Sequence, residues 1–328
     1  PLANPDGTYR SGDVILNPVR ANANGYDLNR NFPDPVDDET VKQKETVDMI
    51  KFMRQHHFVL SANFHAGEEV VNYPWDRWYS KYHADNDWFY HVSRKYADTV
   101  HLYSEPGYMT YLDNGVTRGS DWYVIYGGRQ DFITWELQGR EVTIELDNTK
   151  ETSASELESL WQYNMRSLLG YIENALYGIH GTVLDYDSGK PVPARIFISG
   201  HDKDSSHVYA DTTTGKFIRL LSPGIWNLSI TAEGYNDTVI TDINVMENQR
   251  TDLLVYMKTP HDSIVTIDKL LLFPNPSFYT IECGLPDKIE GPVRVTVINI
   301  QGKKVMEFVT DERPVILNVG NLSAGIYI

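Results

Sequence analysis

Cysteine is nearly absent: Cys283 stands alone in 328 residues. One thiol excludes an intramolecular disulfide framework and any zinc site built on cysteines. No run of about 18 apolar residues occurs, so no segment reads as a membrane-spanning helix. Cations are scarce as well. Lys and Arg number 29 against 45 Asp and Glu, a formal net charge of −16. Proteins that grip phosphate backbones carry an excess of Lys and Arg, so nucleic acid is not the expected partner. The acidic balance points, weakly, to cationic ligands. Aromatics are plentiful, with 21 Tyr and 7 Trp, and 41% of residues are apolar, which fits a folded globular chain. The length exceeds one ordinary core and predicts two or three domains. The chain opens at Pro1 without a Met and stops at Ile328 inside what reads as a strand, so a fragment cut at both ends is expected.

Residues 1 to about 177 mix helical and strand patterns. Residues 39–57 read as a helix, with Val47, Ile50 and Met53 at three-residue steps. The apolar run 58–64 reads as a buried strand, and Val70 to Tyr73 as a second one stopped by Pro74. Residues 85–100 form another helix candidate and 141–146 a β-branched strand. A capping box from Ser153 to Glu156 opens a helix carrying Leu160, Trp161, Leu168, Leu169 and Ile172. Such alternation predicts an α/β sheet with helices on both faces. The texture changes at Gly178. From 178 to 258, short strands and turns without a helical pattern predict a small β-sandwich. After Pro260 a third unit, 259–328, reads as another β-sandwich, with strands at 270–273, 293–298 and 315–317.

Three places hold candidate chemistry. The loop from Arg20 to Phe32 is rich in Asn and Arg, a composition that equally fits a solvated turn. His65 ends an apolar strand, and loops at the carboxyl ends of strands in open α/β sheets are where ligands bind. Imidazole is a common zinc ligand, although a strand-end His serves structure as readily, and no second ligand stands at helical spacing from it. Glu145 lies within an apolar strand. It is either a carboxylate with a raised pKa suited to proton transfer, or a residue facing water on an edge strand.

Read in order, these pieces form a pattern. Asn4-Pro5-Asp6-Gly7, Arg20, the stretch Asp27 to Asp34, Ser61 to Gly67, Val70 to Asp76, Trp122-Tyr123, Gly127-Gly128, Gln130-Asp131-Phe132 and Thr143 to Leu146 resemble zinc carboxypeptidases of the carboxypeptidase A/B fold, closest to the N, E and D subgroup. The resemblance covers residues 1 to about 177. Residues 178–258 look like that subgroup's transthyretin-like domain. Phe273-Pro274-Asn275-Pro276, Gln301 to Val305 and Leu322 to Tyr327 resemble C-terminal sorting domains of type IX secretion. The implied fold is a mixed β-sheet flanked by helices, followed by two small all-β sandwiches.

The resemblance also implies roles. His65 is a zinc ligand. Arg20 stabilises the oxyanion. Asn29 and Arg30 bind the substrate's terminal carboxylate, and Tyr123 closes over the substrate. Glu145 takes a proton from zinc-bound water and delivers it to the leaving amine. Asp76, eleven positions beyond His65, lies in the specificity pocket beside Gln130, so Lys or Arg termini are the expected substrates. Arg129 departs from the pattern, which has an apolar residue there; pointed into the pocket, it would neutralise Asp76. Tyr126 likewise replaces a usual Pro. The pattern's His-x-x-Glu ligand pair is absent, and truncation ahead of Pro1 is the expected reason. The implied protein is a secreted, Zn2+-dependent exopeptidase that meets peptide C-termini and the type IX machinery. Two other readings stay open: a non-catalytic peptide-binding or adhesion protein, and a carboxypeptidase of different specificity.

Overall fold

The computed structural model of the chain describes residues 19–260, 271–285 and 291–328, with the backbone of a hairpin, β1 (Tyr9–Arg10) and β2 (Val14–Ile15). The Asn4 to Gly7 motif lies outside the described residues. Two compact units divide the chain, residues 1–260 and 261–328. The change of texture at Gly178 therefore falls inside the first unit.

The site rests on a four-stranded mixed sheet of order β3-β6-β4-β5. Strand β3 (Leu60–His65) runs parallel to β6 (Arg140–Asp147), β4 (Glu68–Tyr73) antiparallel to β6, and β5 (Val116–Arg118) parallel to β4. Successive side chains alternate across a sheet, and the sequence uses both parities. Val142, Ile144, Val71 and Tyr73 face α2 (Asn86–Tyr103) and α4 (Leu157–Glu173) in one apolar core with Phe89, Val92, Tyr96 and Tyr171. Ser61, Asn63 and His65, with Glu141, Thr143, Glu145 and Asn72, form the opposite, polar face. There α3 (Arg129–Glu136) brings Gln130 to Thr143, and α1 (Lys44–His56) packs on α3 through Ile50, Met53, Phe132 and Ile133.

Two helix starts differ from the sequence pattern. Helix α1 begins at Lys44, not near 39, because side chains hold the preceding segment extended. Asn31 accepts the Gln43 N–H at 2.7 Å and donates to the Val41 carbonyl at 2.9 Å. Helix α4 begins at Leu157. The Ser153 hydroxyl donates to the Glu156 carboxylate at 2.7 Å, so the capping residues form a turn ahead of the helix. The inward face of α4 is Asn164, Ser167 and Tyr171, while Trp161, Leu169 and Ile172 stay exposed.

The sandwich pairs two sheets. Strand β7 (Gly178–Asp185) lies between β10 (Lys216–Arg219) and β13 (Arg250–Met257). The second sheet runs β12 (Thr238–Val245), β11 (Gly224–Thr231), β8 (Arg195–Ile198), β9 (Val208–Tyr209). Their inner faces share a core that includes Ile179, Val183, Ile196, Phe217, Leu228 and Val255, as in a β-sandwich. The second unit carries β14 (Leu271–Phe273), β15 (Thr280–Gly284) and β18 (Val315–Asn318) in one sheet, and β16 (Val293–Ile298) with β17 (Lys304–Thr310) in another. Cys283 is buried in its core with Val297, Val315 and Leu317.

Candidate active site

His65 and Glu145 are register partners on adjacent parallel strands, so both side chains rise from the polar face at the same level. The register answers one question left open by the sequence: β6 is a central strand and Glu145 is buried within it. Burial pushes the Glu145 carboxyl up to about 7, against the opposing Arg20 charge. Its Oε2 is enclosed and lacks a hydrogen-bond partner. Burial, helped by Arg20, lowers His65 to about 4, so its imidazole is neutral at physiological pH. A neutral imidazole is the form that binds zinc.

Asp27 organises the loop that faces them. It accepts the Asn29 N–H at 3.0 Å and the Arg20 Nε at 2.7 Å, and so fixes both residues. The short turn Leu28–Arg30 follows, with Arg30 Nη1 donating to the Asn29 carbonyl at 2.9 Å. The Arg129 N–H donates to Asn29 Oδ1 at 2.9 Å, which ties this loop to α3. A second tie runs through Asp34, which accepts the Gly127 N–H at 3.0 Å and pairs with Arg77 at 2.8 Å. Gly127 itself has φ +64°, and a Cβ there would meet the Arg30 and Phe32 carbonyl oxygens at 2.9 Å. That position needs glycine.

Arg20, Asn29, Asn63, His65 and Arg129 line a cavity of about 450 Å³. Arg30, Asp76, Tyr123, Gln130 and Glu145 are not among its lining residues. Asp76 and Gln130 lie beside Gly128, whose Cβ position is 3.5 Å from Asp76 Oδ2. Gln130 Nε2 donates to Asp76 Oδ1 at 3.0 Å, and Asn72 Nδ2 donates to the same oxygen at 3.3 Å. Among the described residues no cation lies within ion-pair distance of Asp76. Burial, with the neighbouring Asp131 charge, raises its carboxyl well above the usual range. Asp131 is raised too, by burial, although it accepts the N–H groups of Asp76 and Arg77 at 3.0 and 2.9 Å. Tyr123 is exposed on the loop after the turn Gly119–Trp122 and packs edge-on against Trp122.

The sequence reading assigns no role to Asn63, Glu141 or Thr143, and it includes Asp34 and Asp131 only as members of the resembling motifs. The first three share the strand parity of His65 and Glu145, a signal that could have found them. The tying role of Asp34 and Asp131 has no local signal, because their partners lie 43 to 93 residues away.

Chemically, His65 suits one position of a zinc site. Catalytic zinc takes three protein ligands, and among the described residues no group of three donors forms around His65. Asp85, His201 and Asp202 do bring three donor atoms within 4.8 Å of one another. Two buried guanidiniums already occupy those oxygens, however. Arg140 lies 2.6 Å from Asp85, and Arg219 lies 2.8 Å from Asp85 and 2.5 Å from Asp202. A dication there would face two like charges, so this group is an ionic lock between sheet and sandwich, not a metal centre.

Residues 1–167 match the zinc carboxypeptidase family, and residues 271–328 match the secretion system C-terminal sorting domain. Carboxypeptidase D of Homo sapiens is 36% identical over 258 residues, covering 72% of this chain and 18% of that protein. Carboxypeptidase SOL1 of Arabidopsis thaliana is 33% identical, covering 74% of this chain and 49% of that protein. The carboxypeptidase N catalytic chain of Homo sapiens is 33% identical, covering 74% and 60%. The chain thus spans less than two thirds of each relative. Carboxypeptidase A of Helicoverpa armigera matches 52% of this chain and 49% of its own at 15% identity and a TM-score of 0.41.

Proposed function

The chain belongs to the zinc carboxypeptidase family, and from that premise we propose that it is the core of an enzyme releasing Lys or Arg from peptide C-termini. The observation that carries the specificity is Asp76. Its carboxylate is buried against neutral amides, with no cation paired to it among the described residues. A buried carboxylate is costly to keep without a cation, and a substrate's basic side chain supplies the missing partner.

In this reading Asn29 and Arg30 hold the terminal carboxylate, Arg20 stabilises the oxyanion, and Tyr123 covers the bound residue. Glu145 accepts a proton from the attacking water and returns it to the leaving amine. The raised carboxyl and the free Oε2 of Glu145 support that role. The charge of Arg20 reaches both Glu145 and His65, which supports its position at the reacting bond. Zinc, when bound, supplies Lewis-acid activation of water near neutral pH, with His65 as the ligand this chain contributes. The sorting domain marks the protein for type IX secretion to the cell surface or beyond, and the secretion machinery is its expected partner. Residues 178–258 fit a transthyretin-like appendage.

The test is the Asp76→Ala variant of the full-length protein on peptides ending in Lys, Arg or Leu. Cleavage of Lys- and Arg-ended peptides should fall far more than that of Leu-ended ones. Equal losses, or none, remove Asp76 from specificity. The one-ligand site among the described residues favours a second reading, a peptide-binding protein without turnover. Zinc content and peptidase activity of the full-length protein separate the two.

A further inference from the structure

Arg129 carries a charge into the region where a basic-residue pocket has least use for it. It is rooted between Gly128, whose Cβ position is 3.5 Å from Asp76 Oδ2, and Gln130, which donates to Asp76 Oδ1 at 3.0 Å. A guanidinium on that stem is within a side chain's length of Asp76. Pairing there would cancel the carboxylate that recognises substrate. Arg129 instead turns toward β6, with Nη2 3.0 Å from Glu141 Oε2. Glu141 has no exposed surface; Ser61 Oγ donates to the same Oε2 at 2.7 Å and Asn63 Nδ2 donates to Oε1 at 3.0 Å.

We infer that Glu141 is a specificity-setting positioning residue, which holds the Arg129 guanidinium away from Asp76 and so keeps Asp76 open to a cationic ligand. The inference rests on the proposed release of basic residues. Two observations support it. The Arg129 Nε is enclosed and has no hydrogen-bond partner, so the Glu141 contact is the main restraint on the head group. The Glu141 charge also reaches Asp76. The Arg129 stem stands beside Asp76, so a guanidinium released from Glu141 can reach that carboxyl and stabilise its ionised form, and a buried pair forms there in preference to a lone charge.

The experiment uses agmatine, a guanidinium ligand without a carboxylate, titrated calorimetrically into the full chain at neutral pH. The wild type should bind it. Glu141→Gln keeps the shape and, with its oxygen toward Asn63 and the Ser61 hydroxyl turned to accept, both neighbours, but it loses the charge and should weaken binding ~10-fold. Arg129→Met should bind at least as well as wild type, and the double variant Arg129→Met/Glu141→Gln should regain wild-type affinity. Equal affinity in wild type and Glu141→Gln overturns the inference and leaves the basic pocket standing. Binding by Arg129→Met alone, with a silent wild type, also overturns it, since Arg129 then covers Asp76. No binding in any of the four chains removes Asp76 as a cation site and takes both readings down. Should Glu141→Gln not fold, the Nε–Hε resonance of Arg129 in the wild type decides. It should stay fixed as agmatine is added, and its displacement overturns the inference.

Discussion

Asp85 offers a sharp test of what holds the sheet and the sandwich together. Its two oxygens accept Arg140 Nε and Nη2 at 3.0 and 2.6 Å, Arg219 Nη1 and Nη2 at 2.8 and 2.9 Å, and approach His201 Nε2 at 2.8 Å. Arg140 and Arg219 are both fully buried. Burial alone would raise the Asp85 carboxyl, but the Arg219 and Arg140 charges outweigh it and hold the group well below its usual range. In Asp85→Asn the two guanidiniums keep Asp202, the Ser206 carbonyl and the Gln138 carbonyl, but lose the anion they share. Removing one partner of such a buried set costs about 3–5 kcal/mol, against a total stability of roughly 5–15 kcal/mol for a folded protein. Urea unfolding followed by tryptophan fluorescence at pH 7 should show this loss, with the sandwich and the sheet no longer melting together. The pH dependence has a definite sign. A depressed carboxyl contributes stability above its unfolded value of about 3.9 and loses it as pH falls through the folded value. The gap between variant and wild type should therefore be full at pH 7 and shrink in acid. A loss below about 1 kcal/mol at pH 7, or a gap that widens in acid, refutes the lock.

Further predictions follow from the site. Glu145→Gln in the full-length protein should abolish peptide hydrolysis while its zinc content, read by metal analysis, is unchanged; turnover near wild type excludes Glu145 from proton transfer. Gly119→Ala places a Cβ 1.7 Å from Asp76 Oδ1 and 2.8 Å from Asn72 Oδ1. It should displace Asp76 and lower the preference for Lys over Leu termini at least as much as it lowers overall activity, measured by kcat/KM on paired peptides. Asp34→Ala removes the acceptor for the Gly127 N–H and the partner of Arg77. Loosening the loop proposed to hold the terminal carboxylate should raise KM several-fold with a smaller change in kcat, and an unchanged KM would show that the loop does not depend on that tie.

Part of the candidate site is legible from local rules. The apolar run before His65 marks the end of β3, and alternation places Glu145 inside β6; Asp76 is marked by the family resemblance, not by a local rule. Other features depend on contacts that no local pattern carries. Asp85, Arg140 and Arg219 come from a helix start, a strand start and the sandwich, 55 to 134 residues apart, and each alone looks like an ordinary surface charge. The start of α1 was misjudged because Asn31, twelve residues before Gln43, takes its N–H and keeps it out of the helix. Along α4, apolar spacing marked Trp161, Leu169 and Ile172, yet α2 receives polar residues there. Asn164 accepts the Tyr96 hydroxyl at 2.8 Å, and Ser167 donates to the Tyr96 carbonyl at 3.0 Å. Arg129 was visible as a departure, but its partner Glu141 was not.

Five buried acids of the first unit can be ranked by what compensates them. Asp85 has two guanidiniums, Glu141 has one guanidinium and two neutral donors, and Asp131 has two backbone N–H groups. Asp76 has two neutral amides and no cation, and Glu145 has an oxygen with no partner at all. Uncompensated burial costs stability, and an acid left without a partner is a candidate for use by a ligand or a reaction. Glu145 stands out most by this measure, and Asp76 and Asp131 share the next place, each with two neutral donors and no ion pair among the described residues. Asp131 spends its oxygens on the backbone of Asp76 and Arg77, which leaves Asp76 as the acid of that pair proposed to meet substrate charge. Glu141 falls between these acids and Asp85, and its single charged contact, to Arg129, is what makes it a candidate for setting specificity rather than for holding the fold.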